Sequence, residues 1–268
     1  MYLARLSKKA GQFSVAELTG KGVTLLRQTD GVSMMEKFEC VWSDFYFSGE
    51  PSVTGLDMDI YIHHELAEDE KITILTCGQG KTRVSIAPQM AAQLCLEHTS
   101  AVNDLGSFRT RLSEAGIEVH SPDRVYFSEQ PVTVNLAGSN IEIRSLSEAD
   151  TQLYAEFKQD IDDDEWDNAW VELDHWQVFG LFLHDKLISA CSLYPWRQSH
   201  IADLGVITAP AFRGQGMAKK LVNYAHGEIA KHGYILQYRT QVDNEPSIKL
   251  AESLGLRFYG TWESVIDS

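Results

Sequence analysis

The run Arg213-Gly214-Gln215-Gly216-Met217-Ala218 sets a guanidinium and two glycines at the joint between an apolar strand and an amphipathic helix. Those residue types at that place suit a phosphate. The first N–H groups of a helix lack an intrahelical partner and lie at the positive end of its dipole. Glycine lets the backbone approach a ligand closely and take φ > 0 without steric cost. The spacing is neither the dinucleotide-binding G-x-G-x-x-G nor the nucleotide loop G-x-x-x-x-G-K-S/T. A second cluster, Asp162-Asp163-Asp164-Glu165 with Trp166 and Trp170, joins carboxylates to aromatic rings. Asp163, Glu165 and Trp166 would suit a cationic amine through ion-pair and cation–π contacts. The same residues also fit a solvated helix start with its packing face behind it.

The elements that must position the loop are legible around it. Ile201–Thr208 reads as a strand, and Pro210 ends it. Met217, Leu221, Ala225 and Ile229, with Ala218 and Val222 beside them, make one apolar stripe on a helix over Gln215–Lys231. After an apolar strand, Tyr234–Gln241, comes a short helix, Glu245–Leu254. Asn244 is its N-cap, Pro246 suits its first turn, and Gly255 supplies a left-handed C-cap. Ile248, Leu250, Ala251 and Leu254 form its buried face.

Arg213, Gly216 and Ala218 match the pattern Arg/Gln-x-x-Gly-x-Gly/Ala, and the stretch Asn244 to Leu256 has the form of an Asn followed by a helix ending in Gly. Both motifs, in this order, resemble the GNAT superfamily of N-acetyltransferases. A surface turn or an ordinary capped helix explains each motif alone, but not the pair. The resemblance covers about residues 138–268 and implies acetyl-CoA as cosubstrate. The pyrophosphate would lie on Arg213 to Ala218, and the pantetheine would pair with the backbone of Val206, Ile207 and Thr208. Asn244 and Ser247 would complete the cofactor site, and Asp162 to Glu165 would lie beside the acceptor pocket. It also implies a general base on the strand Ile201–Thr208, where Asp203 is the candidate, since the acceptor ammonium must lose a proton before attack. A one-residue slip would turn Asp203 away, and Gly205 is where a bulge would decide its face.

One departure bears on mechanism. Family enzymes often carry a tyrosine four residues before the helix-ending glycine as proton donor to the leaving thiolate; here that residue is Ala251, and Leu256 replaces the usual Phe. The donor role passes to Tyr238, Tyr259 or water. A thiolate whose conjugate acid has a pKa of about 8.5 leaves readily, so activity is compatible with the loss. The expected function is acetyl transfer from acetyl-CoA to a primary amine, small-molecule or peptide, by direct attack. The alternative is a non-catalytic acyl-CoA-binding sensor or partner-binding protein.

At 268 residues and 44% hydrophobic content, the chain is long enough for two domains. The expected division is an α/β domain of unknown role over 1–137 and the GNAT-like domain, a mixed twisted sheet flanked by helices, over 138–268. A degenerate GNAT-like half remains open for the first. The net charge of −15 argues against nucleic acid and anionic membranes. It obliges the cofactor site to draw its positive field from Arg213, Lys219, Lys220 and the helix dipole. Met1 to Phe13 has no apolar run behind its basic residues, and Cys40, Cys77, Cys95 and Cys191 form no pair. Both points fit a cytoplasmic protein with reduced, mostly buried thiols. A homodimer is left open.

Along the chain, strands are expected at Gly22–Arg27, Asp57–His63, Lys71–Thr76 and Thr82–Ile86, and helices at Pro88–Glu97 and Asp104–Ala115. Ser121-Pro122-Asp123 and Gln130-Pro131 read as an exit to the linker. Further on come strand Ile141–Ser145, helices Ser147–Gln159 and Glu165–Leu173, a hairpin Trp176–His184 and Lys186–Tyr194 turning at Asp185, and a closing strand pair around Arg257–Val265. Gly78-Gln79-Gly80-Lys81 reads as a hairpin turn, and His63-His64-Glu65 as no metal site, because adjacent strand residues face opposite ways. His226 reads as a partly exposed helix residue.

Overall fold

The structure is a computed structural model that describes residues 32–66, 70–78, 81–96, 102–134 and 140–265. The expected strand Gly22–Arg27 lies outside them, as do Gln79 and Gly80. In chain order the elements begin α1 (Met34–Tyr46), β1 (Val53–Thr54), β2 (Met58–Ile62), β3 (Ile72–Cys77), β4 (Thr82–Ile86), α2 (Pro88–Gln93), α3 (Leu105–Glu114) and β5 (Asp123–Phe127). They continue with β6 (Ile141–Ser145), α4 (Thr151–Lys158), α5 (Asp163–Ala169), β7 (Gln177–Leu183), β8 (Lys186–Pro195) and β9 (Ile201–Thr208). The last are α6 (Met217–Ala230), β10 (Ile235–Gln241), α7 (Glu245–Ser253) and β11 (Arg257–Ser264). The class is mixed α/β, as expected.

These residues gather into two compact units that are not consecutive stretches of chain. One holds 33–126, 239–248 and 257–265; the other holds 127–238 and 249–256. The expected cut at 137/138 falls in 135–139, outside the described residues. The interleaving follows from β11. It is one strand rather than a pair, and it runs antiparallel to β3, with Gly260 opposite Cys77 and Ser264 opposite Thr73.

In the first unit the strand order is β1-β2-β4-β3-β11-β5. β2 and β4 run parallel, while β3 is antiparallel to both β4 and β11. Between the antiparallel β3 and β4, Gln79 and Gly80 of the expected turn lie outside the described residues. Met58, Ile60, Ile72, Ile74, Val84 and Ile86 form its core with Phe108 and Leu112 of α3. Helix α1 went unrecognised in the sequence, although Ser33 and Glu36 are a reciprocal capping box, with Glu36 Oε2 accepting from the Ser33 N–H at 2.7 Å. Strand β5 lies between the two stretches that read as an exit to the linker, sharing only Asp123 with them.

The second unit carries β10-β9-β8-β7-β6, antiparallel except for the parallel β9–β10 pair. Strands β7 and β8 are buried almost throughout, as their apolar runs require. Their turn is His184-Asp185, both at positive φ, which matches the twist of a two-residue hairpin. Tyr154, Phe157 and Trp166 from α4 and α5 pack with Val178, Phe182, Ala190 and Ile207. Helix α6 buries Leu221, Val222, Ala225 and Ile229, the stripe seen in the sequence. His226 is buried too, not partly exposed: its Nδ1 lies 3.3 Å from Ser128 Oγ, and burial lowers its pKa to about 4. The thiols also differ from expectation. Cys40 and Cys95 are exposed and only Cys191 is fully buried.

Gly205 is not a bulge. The β8–β9 register runs unbroken through Ser192 opposite Gly205. The residue is glycine because α5 ends against it: a Cβ there would stand 2.4 Å from the Ala169 carbonyl oxygen and 2.9 Å from that of Trp170. Gly205→Ala is therefore expected to cost ~3 kcal/mol, the upper end for overpacking, and to lower the melting temperature by roughly 6–12 °C. Gly227→Ala on α6, where an added Cβ meets nothing within 4 Å, is expected to raise stability by up to about 1 kcal/mol. Thermal unfolding of the two variants checks both signs. Equal melting temperatures would contradict the close approach.

Candidate active site

The ladder between β9 and β10 stops at Leu204 opposite Tyr238, although β9 continues to Thr208. The backbone directions along β9 follow from two hydrogen bonds. Ile235 N–H donates to the His200 carbonyl on the β10 side, and Ala209 N–H donates to the Ile188 carbonyl on the β8 side. Since strand residues direct N–H and C=O alternately to the two neighbours, Val206 presents both groups to the β10 side, past the end of that ladder. Thr208 faces the same way, and its carbonyl is taken by Arg213 Nε at 2.9 Å. Val206 is thus an open strand edge four positions long at most, bounded by the loop that follows. Ile207 turns its side chain into the core.

That loop has the geometry expected of an anion cradle. Gly214 and Gly216 both sit at positive φ, +72° and +76°, which other residues adopt only under strain. Gly216 is the N-cap of α6 without a side-chain cap, and Lys220 N–H donates to its carbonyl at 3.1 Å. The N–H groups of Gly214, Gln215, Gly216, Met217, Ala218 and Lys219 have no protein acceptor among the described residues. Six donors at the start of a 14-residue helix fit a diphosphate. Gln215 turns its side chain back to the Ala211 carbonyl, and Lys219 donates to the Ser253 carbonyl at the end of α7.

Arg213 has partners within the protein. Its guanidinium is paired at 3.0 and 2.7 Å with both carboxylate oxygens of Glu165, while Nε closes onto Thr208. It links the end of β9, the loop and α5 through an ion pair that solvent still reaches, the Arg213 and Glu165 side chains being 42% and 48% exposed. Trp166 is corrected: it is 4% exposed and stacks edge-on against Tyr154 and Phe157, with the Lys158 ammonium 5.0 Å from its ring. The packing reading of that residue holds. Asp163 is exposed in the first turn of α5, whose cap is Asp162, accepting from the N–H groups of Asp164 and Glu165. Helix α5 stops at Ala169 because Trp170 takes the left-handed conformation, so Trp166 and Trp170 part company.

Asp203 lies two residues before Gly205, hence on the same face of β9, where the Ala169–Trp170 turn approaches. It is 3% exposed. Tyr194 Oη donates to its Oδ2 at 2.6 Å and Gln237 Nε2 donates to its Oδ1 at 3.1 Å. Beside them Trp170 stands 4.3 Å from the Tyr194 ring and 4.6 Å from His175. His175 Nδ1 lies 2.8 Å from Ser192 Oγ, and burial pushes its pKa down to about 4, against the opposing pull of Asp174 and Asp203. It is uncharged near neutrality. Asp203 was a candidate in the sequence; its neighbours Tyr194 and Gln237, and His175 beside Tyr194, were not. The only signal for them is strand register.

Asn244 and Ser247 lie in the first unit. Asn244 Oδ1 caps α7 by accepting from the Ser247 N–H at 3.2 Å. Gly255 ends that helix at φ +73°, as expected. Ala251 is wholly buried there. Tyr259, named as a proton donor, is committed elsewhere in the first unit: it donates to Glu39 and accepts from Arg83. Burial among them pushes its pKa far up. Tyr238 is buried at the last β9–β10 pair.

Residues 142–256 match the model of the acetyltransferase (GNAT) family. The chain is similar to a GNAT-family acetyltransferase from Novosphingobium aromaticivorans DSM 12444, at 22% identity and a TM-score of 0.44, over 56% of this chain and 65% of that one. A GNAT acetyltransferase from Colwellia psychrerythraea is similar at 18% identity and a TM-score of 0.44, over 69% and 76% of the two chains. The ribosomal-protein-S18-alanine N-acetyltransferase of Escherichia coli is similar at 18% identity and a TM-score of 0.36, over 48% and 95%. No curated protein matched the chain. Among the described residues no helix is long and apolar enough to cross a membrane.

Proposed function

Since the chain carries a GNAT-family acetyltransferase domain at residues 142–256, we propose that it moves an acetyl group from acetyl-CoA to the nitrogen of a primary amine. The observation that carries this reading is the open edge at Val206 leading into six unpartnered amides. A thioester's pantetheine amides need a strand edge to pair with, and its diphosphate needs donors a few residues further on. β9 and the start of α6 supply both in that order. The bound thioester supplies an activated carbonyl. The chain's own residues hold it, present it at the end of the β9–β10 ladder, and accept the amine's proton at Asp203. With Trp166 packed in the core, acceptor recognition falls to the groups around Asp203, with the exposed carboxylates of Asp163 and Glu165 adding solvated charge. The acceptor is a small molecule or a peptide amine, in the cytoplasm.

The sensor reading keeps one observation in its favour. Ala251, buried in α7, leaves no phenol where the family's acid stands. Binding separates this protein from nucleotide binders first. Calorimetry is expected to give micromolar affinity for acetyl-CoA and for CoA, with NAD and ATP competing poorly, because neither continues from its phosphates into a flexible chain of secondary amides that could pair with a strand edge. Equal affinity for ATP would overturn the assignment of β9 to pantetheine.

A further inference from the structure

Asp203 is poorly placed to meet an amine itself. It is almost wholly buried, and each carboxylate oxygen already accepts a hydrogen bond, Oδ2 from Tyr194 and Oδ1 from Gln237. Tyr194 stands directly opposite Asp203 on β8, one pair away from Leu204, where the β10 ladder ends. Directly opposed strand residues put their side chains on one face within reach of each other. Tyr194 is only partly buried. Its contact with the carboxylate, at 2.6 Å, has the length of a charge-assisted O–H···O⁻ bond.

We propose that Tyr194 is the catalytic residue that takes the acceptor's proton and passes its own to Asp203, which acts through it. This rests on the acetyltransferase reading and names the path of its proton. The acceptor ammonium gives one proton to Tyr194 Oη as the phenolic proton moves to Asp203 Oδ2. Tyr194 ends neutral, Asp203 becomes a carboxylic acid, and the nitrogen gains its lone pair. That nitrogen attacks the thioester carbon: the C–N bond forms, the C–S bond breaks, and the second nitrogen proton leaves with CoA as its thiol. Asp203 then returns its proton to solvent through the same hydroxyl.

The surroundings favour this route over its neighbours. Gln237 occupies Oδ1, so an arriving proton settles on Oδ2. His175, a titratable side chain against the Tyr194 ring, is held neutral by burial and is too weak a base near neutrality. Trp170 and Ser192 bring no charge, and Asp174, the remaining acid acting on His175, is exposed.

The test uses the full chain and any primary amine that the wild type acetylates, with kcat measured across pH. Tyr194→Phe is expected to lower kcat by ~10²-fold near neutrality, as loss of a general base does, without changing KM for acetyl-CoA. The deficit should close as pH rises past the acceptor's own pKa, because the amine then arrives deprotonated. Asp203→Asn, which keeps an oxygen for the Tyr194 hydroxyl, should show the same closing deficit and carries the test if Tyr194→Phe does not fold. The double variant should be no slower than the slower single one, since both serve one path. A Tyr194→Phe enzyme with wild-type kcat, a deficit of constant fold at every pH, or additive losses would overturn the relay alone. A wild type that binds acetyl-CoA yet releases no CoA with any amine would overturn the acetyltransferase reading, and the relay with it.

Discussion

Asp203→Asn is expected to cut turnover by ~10²–10⁴-fold while leaving acetyl-CoA affinity nearly intact. Asparagine keeps the shape of the site. Its carbonyl still accepts from Tyr194, and the Gln237 amide can rotate to accept from the new NH₂ group. What is lost is a place for the proton. The rate of the variant should rise with pH more steeply than that of the wild type, because only acceptor already deprotonated in solution can react. Wild-type turnover in the variant would remove Asp203 from the chemistry and leave its hydrogen bonds as structural.

The second large effect belongs to the loop. Gly216→Asp is expected to weaken acetyl-CoA binding by ~10²–10³-fold. The new carboxylate would enter a cradle of six amides and meet the diphosphate at ~4 Å, where two like charges repel by about 4 kcal/mol at an effective dielectric of 20, less what solvent screens. Gly216→Ala is the control. An added Cβ meets nothing within 4 Å, so alanine carries only the strain of φ +76°. Calorimetry on both separates charge from backbone strain. An aspartate variant that binds as well as the alanine variant would move the diphosphate elsewhere.

The loop was legible in the sequence because its function is local. A guanidinium, two glycines and an amphipathic helix lie within a few residues, and glycine takes the positive φ of positions 214 and 216 without steric cost. The same holds for the caps of α7 and the His184-Asp185 turn. What was not legible depends on pairing across long stretches of chain. Nothing near Arg213 announces that Glu165, 48 positions earlier, will pair with it. Trp166 and Trp170 share a face on a continuous helix, but Trp170 turns left-handed and breaks the continuity, so one ring enters the core and the other meets Tyr194. Tyr194 and Gln237 reach Asp203 only through the registers of β8 and β10 against β9. β11 likewise joins the N-terminal strands through β3, a partner some 180 residues away that no local pattern encodes. The start of α1 is local too: the Ser33/Glu36 capping box precedes Phe38, Val41, Trp42 and Tyr46, which recur at helical spacing on the buried face.

The central claim is that an acetyl group leaves a thioester held at β9 for the nitrogen of an amine. Its most direct measurement is thiol release from acetyl-CoA by the purified full chain, followed in the presence and absence of a panel of primary amines and peptides with free N-termini. The expected result is amine-dependent release of CoA with stoichiometric N-acetyl product for at least one acceptor, abolished by Gly216→Asp. Tight acetyl-CoA binding with no amine-dependent thiol release across the panel would contradict the account and establish the domain as a sensor of acyl-CoA.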